Sequence, residues 1–203
     1  EHTIAEIRGK ERVEGVIIVK VDRAKNPIPG TEREISCDTV LFSVGLIPEN
    51  ELAKGAGLAL DPCTKGCFVD GNRETEIPGI FACGNVLHVH DLVDFVSEEA
   101  EIAGKAAAAF IFQGRQEKTL IPVKAGENVS YVLPQRVQTG KDVKLCFRVK
   151  QALRGALIRV EAGGSVKTYR RIAVAPGEME SVTVKADELS GAQNVMISMV
   201  REE

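Results

Sequence analysis

One long helical pattern, beginning at Asp91 or Asp94 and running to about Phe112, is followed only by segments with two-residue periodicity. The order sets an α/β part first and an all-β part second. The helix is the clearest element. Asp91 and Asp94 suit a first turn, where free N–H groups and the helix dipole favour negative charge. Val96, Ala100, Ala103, Ala107 and Ile111 fall on one face at spacings of three and four. The alanines predict a narrow helix lying close against a sheet. Gly104, beside that face, costs about 1 kcal/mol of helix propensity and so predicts close backbone packing. Gly114 is the expected stop.

Beyond about Lys118, Val143, Leu145, Phe147 and Val149 alternate with Lys144, Cys146, Arg148 and Lys150, the pattern of a half-buried strand. Ala156, Ile158 and Val160 repeat it, and Gly163-Gly164 marks a hairpin turn into Ser165–Val174. Val182 and Val184 alternate with polar neighbours, and Val195 to Val200 supply a last strand. Five to seven short strands with regular turns predict a small antiparallel sandwich starting between residues 118 and 128.

Residues 1–46 are strand-like. Gly15 to Val21 is β-branched, Asn26-Pro27-Ile28-Pro29-Gly30 is a turn, and Thr39 to Gly45 is a continuous apolar run suited to a strand buried on both faces. This meander has little core of its own and expects a larger body to pack on. Pro48-Glu49-Asn50 opens a helical turn over Glu51 to Gly55, short strands flank Asp61-Pro62, and Ile80-Phe81-Ala82 reads as a short buried strand ended by Gly84.

Composition removes several functions. The net charge is -3 with no long basic block, so nothing offers the phosphate contacts of a nucleic-acid binder. No apolar run is long enough to span a bilayer, and no signal pattern opens the chain, so the expected location is cytoplasmic. The five cysteines at 37, 63, 67, 83 and 146 form no disulfide framework. Cys63 and Cys67 are too widely spaced for a usual redox or zinc pair, and nothing in the sequence joins them to His88 and His90. No nucleophile sits in a telling motif, so neither a catalytic residue nor a metal ligand is assigned.

The remaining signal is Thr75-Glu76-Ile77-Pro78-Gly79-Ile80-Phe81-Ala82-Cys83-Gly84-Asn85-Val86. Glycine at a strand end permits close approach of a ligand. Asn85 offers a donor and an acceptor to a sugar hydroxyl or phosphate. The helix behind it turns free N–H groups toward the same side. Taken alone, the three residues Gly84, Asn85 and Val86 read first as a strand-to-helix turn with a capping Asn.

The stretch resembles the closing FAD motif of the pyridine nucleotide–disulphide oxidoreductase superfamily, with Asn85 where the family's usual pattern has Asp. Asn can still accept the ribityl hydroxyl bond that the resemblance implies, without charge assistance. Asp38-Thr39-Val40-Leu41-Phe42-Ser43-Val44-Gly45-Leu46-Ile47-Pro48-Glu49-Asn50 is similar to the family segment that leaves the NAD domain and re-enters the FAD domain. The two motifs come in family order, and the resemblance covers about residues 1–115. It implies that the helix near Asp91 faces the flavin pyrimidine ring, with the Leu92 and Val93 amides nearest N1 and O2. No glycine-rich dinucleotide fingerprint is present. The diphosphate cradles, and any redox cysteine pair, would lie upstream of Glu1.

The expectation is therefore an α/β remnant of a two-dinucleotide-domain flavoprotein followed by a small all-β, sandwich-like domain. Residues 1–46 would be the tail of the NAD(P)-binding domain, 47–117 the C-terminal part of the FAD-binding domain, and 118–203 an accessory domain. That tail is loosely similar to accessory domains of flavoproteins found beside anaerobic glycerol-3-phosphate dehydrogenases or to sarcosine oxidase-type proteins. The resemblance implies FAD and NAD(P) in the parent enzyme, with Gly84, Asn85, Val86, Asp91, Leu92 and Val93 lining part of the flavin site. It further implies an N-terminal half of the same polypeptide, and a redox subunit or a second copy as partner. The isolated chain is expected to be inactive. The competing reading is a non-enzymatic scaffold or docking module.

Overall fold

A computed structural model describes residues 1–202 as two compact units, Glu1–Gly45 and Leu46 onward. In the first unit, β1 (His2–Arg8), β2 (Gly15–Lys20) and β3 (Arg33–Ser36) form an antiparallel meander in that order. Val16 and Val19 of the central strand are buried, whereas Ile4, Ile7 and Ile35 of the flanking strands stay exposed. Three strands with so little buried apolar area are marginal by themselves.

The run from Thr39 to Gly45 forms no strand, contrary to the sequence expectation. Leu41 is 90% and Val44 77% exposed. A strand buried on both faces needs neighbours for its N–H and C=O groups. None of the described strands pairs with this segment.

The second unit opens with the short helix α1 (Glu51–Gly55). The irregular segment after it is tied by single bridges, Leu60 to Cys67 and Glu74 to Phe81. Ile80-Phe81-Ala82 is accordingly a half-buried bridge rather than a buried strand. A 3-10 turn at Gly84–Val86 leads to α2 (Val93–Gln113), which ends at Gly114 with φ of 70°. Its buried residues are Glu99 and Ala103. The predicted stripe is thus rotated, for Ala100 is exposed and Ile111 is 77% exposed. A Cβ at Gly104 would meet nothing within 4 Å, so no close backbone packing explains that glycine here.

Eight strands follow: β4 (Leu120–Ala125), β5 (Val129–Leu133), β6 (Arg136–Gln138), β7 (Val143–Val149), β8 (Leu153–Ala162), β9 (Ser165–Val174), β10 (Glu180–Val184) and β11 (Val195–Arg201). They make two sheets, β10-β7-β5 and β6-β4-β11-β8-β9. One core cluster draws on both, with Leu145, Phe147, Ile158, Val195 and Ile197 fully buried, which is the sandwich the alternation predicts. Gly163 and Gly164 both have positive φ, as a two-residue hairpin turn between right-twisted strands requires. The all-antiparallel expectation fails at one place. β11 pairs parallel with β4, Val195 opposite Val123. A second cluster of Leu58, Cys67, Val69, Leu87 and Leu133 joins the irregular segment to the end of β5. No helix among the described residues is long and apolar enough to cross a membrane, which says nothing of a β-barrel.

Truncating Phe147, fully buried at the centre of the sandwich, is expected to cost about 3–5 kcal/mol. Urea unfolding of Phe147→Ala followed by circular dichroism measures it. A loss below about 1 kcal/mol would contradict a single shared core.

Candidate functional site

The turn that precedes α2 is built from its backbone outward. Ile80 N–H bonds to the Ile77 carbonyl at 3.1 Å, and Gly79, with φ of 83°, closes that turn. Gly79 N–H donates to Glu74 Oε1 at 2.9 Å. Gly84 has φ of 75°, and a Cβ there would lie 3.3 Å from Val96 Cγ1 of α2. Glycine at this position is set both by the left-handed conformation and by the approach of the helix.

Glu99 of α2 fixes the turn. Its carboxylate is buried and accepts Gly84 N–H at 2.7 Å, Arg73 Nε–H at 2.8 Å and His90 Nε2–H at 3.0 Å. Arg73 and Glu99 side chains are only 4% and 3% exposed. Burial pushes the Glu99 carboxyl up, but the two histidines and the Arg73 guanidinium together pull it down by more, so it stays ionised well below the usual carboxylate range.

Tyr131 of β5 extends the network. Burial pushes its phenol up to about 12, so it remains protonated. Its hydroxyl lies 3.3 Å from His88 Nδ1, on the opposite side of the ring from Nε2. That atom is 3.7 Å from Glu99 Oε1, beyond hydrogen-bond reach. Burial also lowers the His88 imidazolium more than Glu99 raises it, so the ring is neutral near pH 7. The His88 and His90 rings meet edge to face with centroids 4.3 Å apart.

His88, His90 and Glu99 bring their ligand-type atoms within 4.8 Å of one another, a spacing that a metal ion could use. The charge balance argues otherwise. One guanidinium and one carboxylate already neutralise each other, and a dication added beside Arg73 would leave a buried excess of positive charge. With Arg73 the trio forms an ion network centred on Glu99. Neither Cys63, which is exposed, nor Cys67, which is buried, joins that cluster.

The sequence-predicted residues divide among three environments. Gly84 is buried in the turn and held by Glu99. Asn85 Oδ1 accepts His90 N–H at 3.1 Å, so the carboxamide braces the loop and keeps its NH2 as the remaining donor. The Val86 carbonyl accepts Asn50 Nδ2–H at 2.8 Å. The Asp91 carboxylate is engaged by Arg148 of β7 and by Met179 N–H at 2.6 Å. Leu92 and Val93 are 56% and 74% exposed. Leu92 is the N-cap of α2 and makes no side-chain cap bond, so the first-turn N–H groups are not closed off by a local side chain.

Sequence reading missed Glu99, Arg73 and Arg148. Glu99 carried a usable signal, since it falls three residues after Val96 and four before Ala103, inside the helical stripe. Arg73 carried none, because its partner is 26 residues away.

Residues 2–109, over half of the chain, match the pyridine nucleotide-disulphide oxidoreductase family, and the chain belongs to that family of FAD- and NAD(P)-dependent oxidoreductases. The "chlorobenzene dioxygenase, ferredoxin reductase component" of Cupriavidus sp. is 24% identical over 89% of this chain and 46% of its own length. The "biphenyl dioxygenase system ferredoxin--NAD(+) reductase component" of Paraburkholderia xenovorans is 43% identical over 27% of this chain and 12% of its own length. A thioredoxin reductase of Treponema pallidum is 30% identical over 54% of this chain and 33% of its length. The chain thus spans less than half the length of each of these relatives.

Glu99→Gln leaves Arg73 buried without a counter-charge and is expected to lower stability by about 3–5 kcal/mol. Adding Arg73→Met should restore much of that loss, since the two residues form one interacting pair. Additive losses in the double variant would contradict the pairing.

Acid sensitivity follows from the same groups. His88 is held below its ordinary value of 6.5, so its contribution is full above that pH and is lost as pH falls through the lowered folded value. Glu99 is held below 4.5, so its contribution is full above that pH and declines further below it. Melting temperature should therefore fall in two stages on acidification, and His88→Gln should remove the upper one. A melting temperature flat from pH 7 to pH 5 in the unmodified protein would refute the His88 assignment.

Proposed function

We propose that this chain is a part of an FAD-dependent NAD(P)H oxidoreductase that forms one end of the flavin site. Residues 1–46 act as the tail of the NAD(P)-binding domain, 47–117 as the C-terminal part of the FAD-binding domain, and 118–203 as an accessory β domain. The observation that carries this reading is the coupling of the Gly84–Val86 turn to the uncapped start of α2. Glu99 reaches back from the helix to Gly84 N–H, and Asn85 reaches forward to His90 N–H. One side-chain amide donor and the first N–H groups of a helix are thereby held near each other.

The residues fit one end of the cofactor. Asn85 offers its carboxamide to a ribityl hydroxyl, and the Leu92 and Val93 amides face the pyrimidine edge, where they favour electron-rich oxygen and nitrogen. The chain has no glycine-rich cradle for either diphosphate. FAD, when bound, accepts hydride from a nicotinamide and passes electrons on. This chain's residues orient one edge of the flavin and exclude water from it. Asp91 has another role, because its carboxylate is occupied by Arg148 and Met179.

Exposed apolar surface supports an N-terminal half of the same polypeptide as partner. Leu41, Val44, Ile47 and Leu52 are 77–91% exposed. Ala100, Gly104 and Ile111 are also exposed on α2. By likeness to relatives named as ferredoxin reductase components, the completed enzyme would hand electrons to a small redox protein. The isolated chain, with part of a flavin site and no nicotinamide cradle, is inactive by itself.

Completing the polypeptide with its upstream half should give a yellow protein with bound FAD, while the isolated chain stays colourless. Asn85→Ala in the completed protein should weaken FAD binding by roughly 5- to 30-fold, equivalent to about 1–2 kcal/mol for one lost hydrogen bond. A completed protein that binds no FAD defeats the proposal and leaves the scaffold reading.

A further inference from the structure

We propose that Arg148, on the β sandwich, is a positioning residue for the cofactor-facing start of α2. This inference rests on the flavin reading above. It identifies what the accessory domain contributes to that site.

The argument begins with the register of β7. Leu145, Phe147 and Val149 are fully buried in the sandwich core, so the alternate residues Lys144, Cys146 and Arg148 lie on the strand's other face. Arg148 Nη2 donates to the Val89 carbonyl at 3.0 Å and to Asp91 Oδ1. The second Asp91 oxygen accepts Met179 N–H at 2.6 Å. Asp91 immediately precedes the N-cap, so both of its oxygens tie the entry of α2 to the sandwich.

Two further contacts lie on either side of this one. Tyr131 stands opposite Arg148 in the β5–β7 ladder, and its hydroxyl reaches His88. Lys144 lies four residues before Arg148 on the same face and donates to Glu98 Oε2 at 2.7 Å, with its ammonium 5.3 Å from the Phe95 ring centre. Three side chains from one face of one sheet therefore hold residues 88, 89–91 and 98 in order.

Without these contacts the loop would depend on Asn85 and the His90–Glu99 bond. Those brace its early part and leave Asp91–Val93 without an anchor. Arg148 is the central contact, because it is the one side chain of the three that bonds a backbone carbonyl and a carboxylate together. Its guanidinium is 17% exposed, so salt screens this pair less than a surface one.

The geometry assigns the sandwich a task at the flavin edge while keeping it out of contact with the reacting atoms. A fixed helix start aims the Leu92 and Val93 amides. A loose one averages their direction and weakens the stabilisation of charge at the pyrimidine edge.

Amide hydrogen exchange on this chain tests the clamp without a cofactor. Arg148→Gln should speed exchange across residues 89–95 by roughly tenfold, while protection of β8 and β11 stays unchanged. Asp91→Ala removes the same contact from outside the sandwich and should reproduce the effect if the Arg148 variant folds poorly. In the completed flavoprotein, both variants should make two-electron reduction of the flavin about tenfold less favourable, a midpoint potential about 30 mV more negative. Arg148→Lys, which keeps the charge but lacks the fork, should recover only part of that shift. Unchanged exchange at 89–95, or bound FAD with an unchanged potential in both variants, would overturn the positioning role alone. Failure of the completed protein to bind FAD would overturn the flavin reading, and the positioning role with it, whatever the exchange shows.

Discussion

A single buried carboxylate organises the irregular segment that precedes the sandwich in residues 46–202. Glu99 gathers a backbone amide, a guanidinium and an imidazole at 2.7–3.0 Å, nearly out of contact with water. Such a charge is costly to bury unless every lone pair is used. Here the donors come from the Arg73 loop, the Gly84 turn and the His90 loop. None of these segments has a ladder or a helix to hold it. Their conformation is set by the need to satisfy one anion, and the Gly84 turn takes its left-handed geometry within that arrangement.

The sandwich works by different physics. Its core is apolar and its strands follow a period of two, so its geometry is determined by burial and register. The outer face of β7 then presents cations to a segment rich in acceptors. The two halves of the unit are joined less by apolar area than by directed bonds. The Leu58–Leu133 cluster is small, while Arg148 reaches across to Val89 and Asp91, Lys144 to Glu98 and Tyr131 to His88.

What was legible in the sequence was whatever a local period encodes. The alternation at Val143–Val149 and Ala156–Val160, the glycine pair at 163–164 and the stop at Gly114 all read through. The order of strands within the sheets did not, because pairing of β4 with β11 joins segments some seventy residues apart and leaves no local trace. Thr39 to Gly45 has the composition of a doubly buried strand, but composition cannot supply the ladder partners such a strand requires. The face of α2 was misjudged because its buried side carries Glu99, a charge that only the distant Arg73 makes tolerable inside. Gly84, Asn85 and Val86 were singled out by motif order, whereas the residues that hold their turn lie on other elements and carry no motif.

The parallel pairing of β4 with β11 has a consequence for biosynthesis. β11 is the last of the described strands in sequence order, yet it occupies the middle of the five-stranded sheet, between β4 and β8. Until the ribosome releases residues 195–201, the sheet has a vacant slot bordered by two unsatisfied strand edges. The sandwich therefore closes only once β11 has emerged, and everything that leans on it, including the entry to α2, must wait for that insertion. Nascent chains of this protein pass through a period in which two complementary edges are open at once, when a holdase chaperone would have most to protect.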